Sequence, residues 1–588
     1  MAKLKRLLSR EDEIVYIKAP ISQYDITDRV TQYPLLPPLQ FAKRYHSALF
    51  QPTSFKWAGK EYSIQFNHCT NPYCDSFGLP QKKFYEIKGK PSRYKLVGSH
   101  SNKNLFCNPN PFPSNTDKSI LGCHSGVLSN WSIAEEIKRL VEIESVKDVE
   151  PEYSFHKDEC VNDKRTPFIN PEFFYKQGKS VSNSQRYQCK TCKKKTNVRP
   201  NQRESTTYHQ KRNDILPTFA RLLLNRTPVT RTCEVLQIGR KTYYTKLEWM
   251  YRRCLEFLER YEKKSFKQLD FEEIWLNTDK MTYHLNNVRK KGEANSLYRN
   301  IDATLFPTNI IVTADVHSRY VFRSDVAFDW NASLDDIALD TVLYKEDHLS
   351  EFSRKNARFR QFTSFPMPPT MKDSQSESEY NLEMDAFIKR KGFIDGLHVK
   401  ATYTNIAHFW LIKQMVKAKE WRFISDEDQS IMSALYRVFS SEINTYDAHH
   451  FLCSTDKTKS KQQAYEEYKD ARVHLKNWSN LNDVDTNSYY KMAYLYLLEQ
   501  LPSHLFYKEI VNSEGTSIQY AKNPLEHPIA AIDKGYYAVD CKTDVSGLST
   551  DELAKLILQV NDHSSNAFIQ QIRRRLSILE RPLVTARG

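Results

Sequence analysis

No run of about 18 uninterrupted apolar residues occurs anywhere in the 588-residue chain, so a membrane-spanning helix is not expected. The opening "MAKLKRLLSREDEIVYIKAP" has no apolar core between charged flanks and does not read as a signal peptide. A long basic amphipathic helix that could lie on a lipid surface is also missing. These absences predict a cytoplasmic protein without membrane contact. The length exceeds one ordinary core and predicts several domains. Lys and Arg number 86 against 71 Asp and Glu, a formal charge of +15 that suits a polyanionic partner.

Cysteine is unevenly spread. Of eleven, seven (Cys69, Cys74, Cys107, Cys123, Cys160, Cys189 and Cys192) lie in the first third. In a reducing compartment such clustering favours metal over disulfides. Structural zinc takes four Cys or His ligands tetrahedrally, and a Cys-x-x-Cys knuckle brings two thiolates to one ion. Cys189 and Cys192 in "RYQCKTCKKKTNV" fit, with His156 and Cys160 of "HKDECVND" as their partners. A looser set, Cys69, Cys74, Cys107 and Cys123, predicts a second zinc site, with His68, His100 and His124 open as substitutes. Each module begins with a close ligand pair, passes through aromatic-rich strands and returns to cysteine, which suggests duplication. Cys233, Cys254, Cys453 and Cys541 sit in apolar patterns and are expected in cores.

The fold class expected is multidomain, α+β and α/β. Residues 1–60 are an N-terminal extension packed on something else, 61–148 a first zinc-ribbon-like module with a helix, and 150–204 a second zinc-ribbon module. Residues 205–264 are helical throughout: "DILPTFARLLLNR", "PVTRTCEVLQI" and "GRKTYYTKLEWMYRRCLEFLERYEKK", with Pro228 opening the second helix and Gly239 at the turn before the third. That outline is a helix-turn-helix. From 268 to 588 strand-like runs such as "FEEIWLNTDKMTY" and "EWRFISDED" alternate with helical ones, as in an α/β domain. The polar stretch 331–395 reads as an insertion or flexible linker.

Between Arg186 and Asp214 nine Lys or Arg stand against two acids. Lys193, Lys194 and Lys195 would neutralise phosphates without reading sequence. Arg240, Lys241, Thr242, Tyr244 and Lys246 lie near the start of the third helix, where side chains reach base edges. Two-metal phosphodiester chemistry needs carboxylates at strand ends, holding ions about 4 Å apart. Asp279 in "IWLNTDKMTY" is expensive to bury unless it binds a metal or finds a partner. Asp426 in "WRFISDEDQSIMSAL" falls at a strand end, with Asp428 close by, and Asp315 in "VTADVHSRYVF" lies on a neighbouring strand.

On "RYQCKTCKKKTNV", "GRKTYYTKL", "LNTDKMTY", "TADVHSRYVF", "FISDEDQSI" and "NAFIQQIRRRLSILERP", in that order, the chain resembles prokaryotic insertion-element transposases of the DDE type over residues 60–588. The resemblance implies zinc-ribbon and helix-turn-helix modules before an RNase H-like domain, with structural Zn2+ and catalytic Mg2+ or Mn2+. It implies double-stranded DNA at mobile-element ends as partner, a homo-oligomer on DNA, and Asp279 and Asp426 as the first two metal-binding acids. Asp315 matches a recurrent strand aspartate of that family. At the third acid the chain departs, for alignment of the late helix puts Asn566 there, a neutral ligand that would weaken the second ion. Asp562 or Glu580 takes that place if the register differs by a turn. Arg573, Arg574 and Arg575 on the same helix are expected to pair with acids and clamp a phosphate. A catalytically impaired, domesticated regulator is the alternative that Asn566 suggests, and an RNA-binding zinc-ribbon protein a third.

Overall fold

The computed structural model describes residues 4–6, 15–18, 22–32, 35–36, 40, 44, 49–98, 103–107, 122–144, 149–151, 153–180, 184–198, 212–284, 307–335, 356–360, 366, 376–390, 396–511 and 517–575. They fall chiefly into two compact units, Glu144–Tyr261 and Val15–Ile143 with Glu262–Arg573. The architecture is mixed α and β, with one seven-stranded mixed sheet and several small sheets. No described helix is long and apolar enough to cross a membrane.

The larger unit opens with a hairpin of β1 (Thr53–Trp57) and β2 (Lys60–Ile64). Its Phe55, Trp57 and Tyr62 pack on Trp410, ring centroids 5.4, 5.8 and 5.1 Å away. A small antiparallel sheet follows, β3 (Tyr94–Val97), β4 (Asn104–Cys107) and β5 (His124–Ser125), and then α1 (Asn130–Glu144). In α1, Ile133, Ile137, Leu140 and Val141 recur at helical spacing and join the core of the large sheet. Buried Glu136 at its centre meets Arg139 at 2.6 Å, Arg358 at 3.4 Å and Thr404 at 2.7 Å. The described residues from Glu61 to Ile143 belong to the same compact unit as the large sheet, where α1 buries its apolar stripe and its charge.

The smaller unit contains β6 (Phe174–Lys179), β7 (Gln185–Cys189) and β8 (Lys195–Val198), an antiparallel sheet with β7 central. Three helices follow: α2 (Leu216–Leu224), α3 (Val229–Leu236) and α4 (Arg240–Leu258), packed around Ile215, Phe219, Leu236 and Tyr243. Pro228 caps α3 from just outside it. The left-handed residue of the α3–α4 turn is Gln237 (φ 50°), not Gly239.

The large sheet starts as an antiparallel meander, β9 (Asp270–His284), β10 (Pro307–Asp315) and β11 (Val321–Val326). After α5 (Ala401–Met415), β12 (Lys417–Ser425) pairs in parallel with β9; after α6 (Gln429–Val438), β13 (Ala448–Thr455) pairs in parallel with β12. Helices α7 (Lys461–Leu481) and α8 (Tyr489–Gln500) lead to β14 (Leu525–Glu526) and β15 (Tyr537–Cys541), which extend the sheet antiparallel. The chain continues through α9 (Thr550–Gln559) and α10 (His563–Arg575). The strand order is β11-β10-β9-β12-β13-β15-β14. Ile274, Leu276 and Phe423 face one core with residues of α5 and α6, and Trp275, Ile424 and Phe451 face a second with residues of α8 and α9.

The stretch 331–395 is more than a linker where it is described. Ala357 and Phe359 are buried, Arg358 joins the Glu136 cluster, and Glu377–Arg390 is a helix.

Candidate functional site

Strands β9 and β12 run in parallel register through Thr278 opposite Ser425, so Asp279, mid-strand in β9, lies beside Asp426 just past the end of β12. Residues alternate across a strand. Thr278 and Lys280 thus point to the α5–α6 face, where Thr278 meets Thr313 at 2.8 Å and Lys280 meets Ser430 at 3.0 Å and Asp428 at 2.5 Å. Asn277, Asp279 and Met281 point to the other face, along which α10 runs. Ser565 donates from its amide and hydroxyl to Asn277 Oδ1 at 2.9 and 2.6 Å, and Arg573 Nε lies 3.3 Å from Met281 Sδ.

The Ser565–Asn277 bonds on that face set Asp562, just ahead of α10, where its charge acts on Asp279. Burial raises the Asp279 carboxyl to about 6, the charges of Asp426 and Asp562 push it the same way, and the Lys280 amide (2.6 Å) and Lys457 oppose them. Lys457 pairs with Asp426 at 2.9 Å and Lys534 pairs with Asp562. Asn566, expected at the third acidic position, donates to Asp562 Oδ2 at 2.8 Å and so orients that carboxylate. Asp562, one helical turn earlier, is the acid whose charge acts on Asp279. Below Asp426 a buried chain fixes the backbone: Tyr436 Oη is 2.8 Å from His450 Nδ1, His450 Nε2 2.9 Å from Ser425 Oγ, and that hydroxyl donates to Asp426 O at 2.8 Å.

Asp315 does not join them. It is paired with Leu276, three residues along β10 from the partner of Asp279, roughly 10 Å away. Its carboxylate accepts from the Ser318 amide and hydroxyl, both at 2.6 Å, and caps the turn into β11. Asp428 caps α6 through the Ser430 and Ile431 amides at 2.8 and 3.2 Å. Glu580 and His100 lie outside the described residues. Lys457, Lys534 and His450 carried no signal in the sequence, because their partners are distant along the chain.

The cysteines form two centres of one construction. A ligand pair precedes a three-stranded meander, a third ligand ends the middle strand (Cys107 on β4, Cys189 on β7), and a fourth leads into the last strand (Cys123, Cys192). In the second centre one ligand atom each from His156, Cys160, Cys189 and Cys192 lie within 4.8 Å of one another. His156 Nε2 faces the Arg165 carbonyl at 2.8 Å, so that nitrogen carries the proton and Nδ1 offers its lone pair to the site, 3.3 Å from Cys160 Sγ. Against the cost of burial, the amides of Lys157 and Lys194 lower the Cys192 thiol to about 6.

In the first centre Cys69, Cys74 and Cys123 satisfy the same criterion, and Cys107 Sγ is 3.5 Å from Cys74 Sγ. Hydrogen bonds from Cys69 and Cys74, with the Asn71 amide at 3.2 Å, lower the Cys123 thiol to about 4. Among the described residues no histidine substitutes: His68 faces the Cys69 carbonyl at 3.0 Å, and His124 is exposed against Phe106. Both centres could hold a metal such as zinc. Of the other cysteines, Cys453 and Cys541 are buried and Cys233 half-buried, but Cys254 is exposed.

The basic residues divide. Lys193, Lys195, Arg240, Lys241 and Tyr244 are exposed, Thr242 is partly exposed, and Arg574 and Arg575 are exposed at the end of α10. Lys194 is instead occupied, donating to Ser154 Oγ and His156 O at 2.6 Å beside the metal ligands. Lys246 is buried against Asn213 at 3.3 Å, its pKa lowered by desolvation, so it supports the three-helix core rather than a nucleic-acid surface.

Comparison of the chain with protein-family models, with curated proteins and with solved structures gives no match in any of the three.

Proposed function

We propose that the protein is a transposase-like DNA-binding enzyme that cuts and joins phosphodiesters with two divalent cations held by Asp279, Asp426 and Asp562. The single observation that carries the reading is that acids widely separated along the chain act on one another, Asp426 lying beside Asp279 in the parallel register and Asp562 acting on Asp279 through its charge. An antiparallel meander followed by two parallel strands, β11-β10-β9-β12-β13, is the strand order expected of an RNase H-like domain.

Mg2+ or Mn2+ bound there would acidify an attacking water or 3′ hydroxyl and stabilise the leaving oxygen. Asp279 and Asp426 bind from adjacent strands and Asp562 from the helix start, held by Asn566. Lys457, released from Asp426 when a cation takes its place, is positioned to meet a phosphate oxygen. The cysteine centres are structural zinc sites. The α2–α4 helices act as a helix-turn-helix whose exposed Arg240, Lys241 and Tyr244 contact duplex DNA at element ends, with assembly as a homo-oligomer on DNA. With Asp562 offered as the third acid, the regulator reading, which rests on Asn566 as the third ligand, is the second choice.

A nicking assay on supercoiled DNA tests this. Mg2+- or Mn2+-dependent cleavage is expected, with Asp279→Asn and Asp562→Asn each reducing it about a hundredfold or more and Asn566→Ala less. Cleavage untouched by Asp279→Asn would remove the enzyme reading.

A further inference from the structure

On the α5–α6 face of the same strand ends, between the first cysteine centre and the two helices, lies a cleft of about 460 Å3. That volume is within the ~300–1,000 Å3 of small-molecule sites. Its polar groups divide sharply. Ser430 Oγ is fully engaged by Lys280, Asn405 and Asp428, and Ser125 Oγ by Thr70. By contrast the side chains of Thr402, half-buried, and Gln429, exposed, bond to no other side chain or carbonyl among the described residues, and the exposed His124 ring leans on Phe106, centroids 5.0 Å apart. Residues of three elements, Thr402, Gln429 and His124, thus line one space with Met432.

The charge of the walls selects the ligand. Lys280 is neutralised by Asp428 at 2.5 Å, so the cleft offers no unpaired lysine or arginine to a phosphate. A neutral, flat, polar group fits better. A glutamine amide presents the paired donor and acceptor that match a base edge, and histidine offers a stacking face. Gln429 follows Asp426 by three residues, and Lys280 follows Asp279 directly. Ser430 of the cleft wall bonds Lys280, the residue after Asp279, while the acid itself faces the other side of the sheet, so a strand held there would pass the end of β12 to place a base in the cleft. Only an unpaired base could enter.

We propose that this cleft captures an unpaired nucleobase of the strand whose backbone lies at Asp279, Asp426 and Asp562; the inference rests on the phosphodiester reading above. Full-length protein, without added Mg2+ or Mn2+, is titrated with short single-stranded oligonucleotides carrying one 2-aminopurine at stepped positions. A fluorescence change confined to one or two adjacent positions is expected. An oligonucleotide abasic at that position should bind about tenfold more weakly. Gln429→Ala should weaken binding by a similar factor and abolish the signal. Gly126→Leu fills the cleft, and a Cβ there meets nothing within 4 Å, so its melting temperature should hold while capture is lost. Equal affinity for the abasic oligonucleotide, or wild-type binding by Gln429→Ala, overturns the proposal even if Gly126→Leu does not fold. Nicking of duplex DNA is measured separately. Capture without Mg2+-dependent nicking removes the catalytic reading alone, and nicking without capture removes the base cleft alone.

Discussion

At Asp279, burial and two neighbouring carboxylates act in the same direction, and the group is held protonated to about 6 in the folded chain. The folded value lies above the unfolded one, so between roughly pH 4 and 6 the folded state binds more protons, and stability falls as pH rises through that window. Without divalent cation, Asp279→Asn should therefore raise stability by about 1–3 kcal/mol at pH 8 and by little at pH 4. Added Mg2+ should stabilise the wild type and close the gap. Thermal melts of both proteins at the two pH values, with and without Mg2+, check this; a variant less stable at pH 8 would mean that the carboxylates are no metal cluster. Asp279 was legible in the sequence because an acid inside an apolar run loses its hydration on folding and needs a cation or a hydrogen-bond donor in its place. Asp562 was only an alternative there, since the placement of α10 is fixed by Ser565 on Asn277, a contact 288 residues apart that no local pattern encodes.

Element by element, the hydrophobic period marked β9, β10, β12, α5, α6, α7 and α10, while the attachments between elements came from buried polar groups that leave no periodic trace. Arg437 of α6 is one. Fully buried, it donates to the carbonyl of Phe66 at 3.0 Å and of Gly126 at 2.7 Å, three residues before Cys69 and three after Cys123. Tyr73 Oη adds contacts at 3.1 Å to the carbonyls of Cys541 and Thr543, and Asn444 reaches the Phe77 carbonyl at 3.2 Å. The first cysteine centre is thus tied to the sheet by a cation that has carbonyls as partners. A four-thiolate zinc centre carries net negative charge, which Arg437 would balance. Arg437→Met should lower the zinc affinity of that centre about 10–100-fold and destabilise the unit by roughly 3 kcal/mol. Arg437→Lys should not rescue it, because one ammonium cannot span both carbonyls. Zinc content after mild chelation should fall from about two per chain to about one, the His156 centre keeping its ion. Loss of both ions, or of neither, would contradict the separate tethering of the two centres.

Across the molecule, the large unit buries histidines that must stay neutral. Desolvation lowers His450 to about 3 and His449, His527 and His398 each to about 4, with nearby Lys or Arg adding to the effect on His450, His449 and His398. Their folded values lie below the unfolded 6.5, so the unfolded chain binds more protons as pH falls from 6.5 toward 4. The stability they contribute is present above 6.5 and drains away below it. Each group is worth at most about 1.4 kcal/mol per pH unit once the unfolded form is fully protonated. Four together are comparable to the ~5–15 kcal/mol by which a domain is stable. Asp279 and Asp540, both raised by burial, oppose them over part of the window. Calorimetry from pH 8 to pH 4.5 should therefore show a melting temperature level down to about 6.5 and falling steeply below it. Proton-driven metal release from the cysteines acts in the same direction, but excess zinc suppresses it and leaves the histidine contribution in place. A melting temperature that stays level to pH 4.5 with zinc present would mean that these histidines reach water, and with them the strand ends and the second core on which the acid cluster is built.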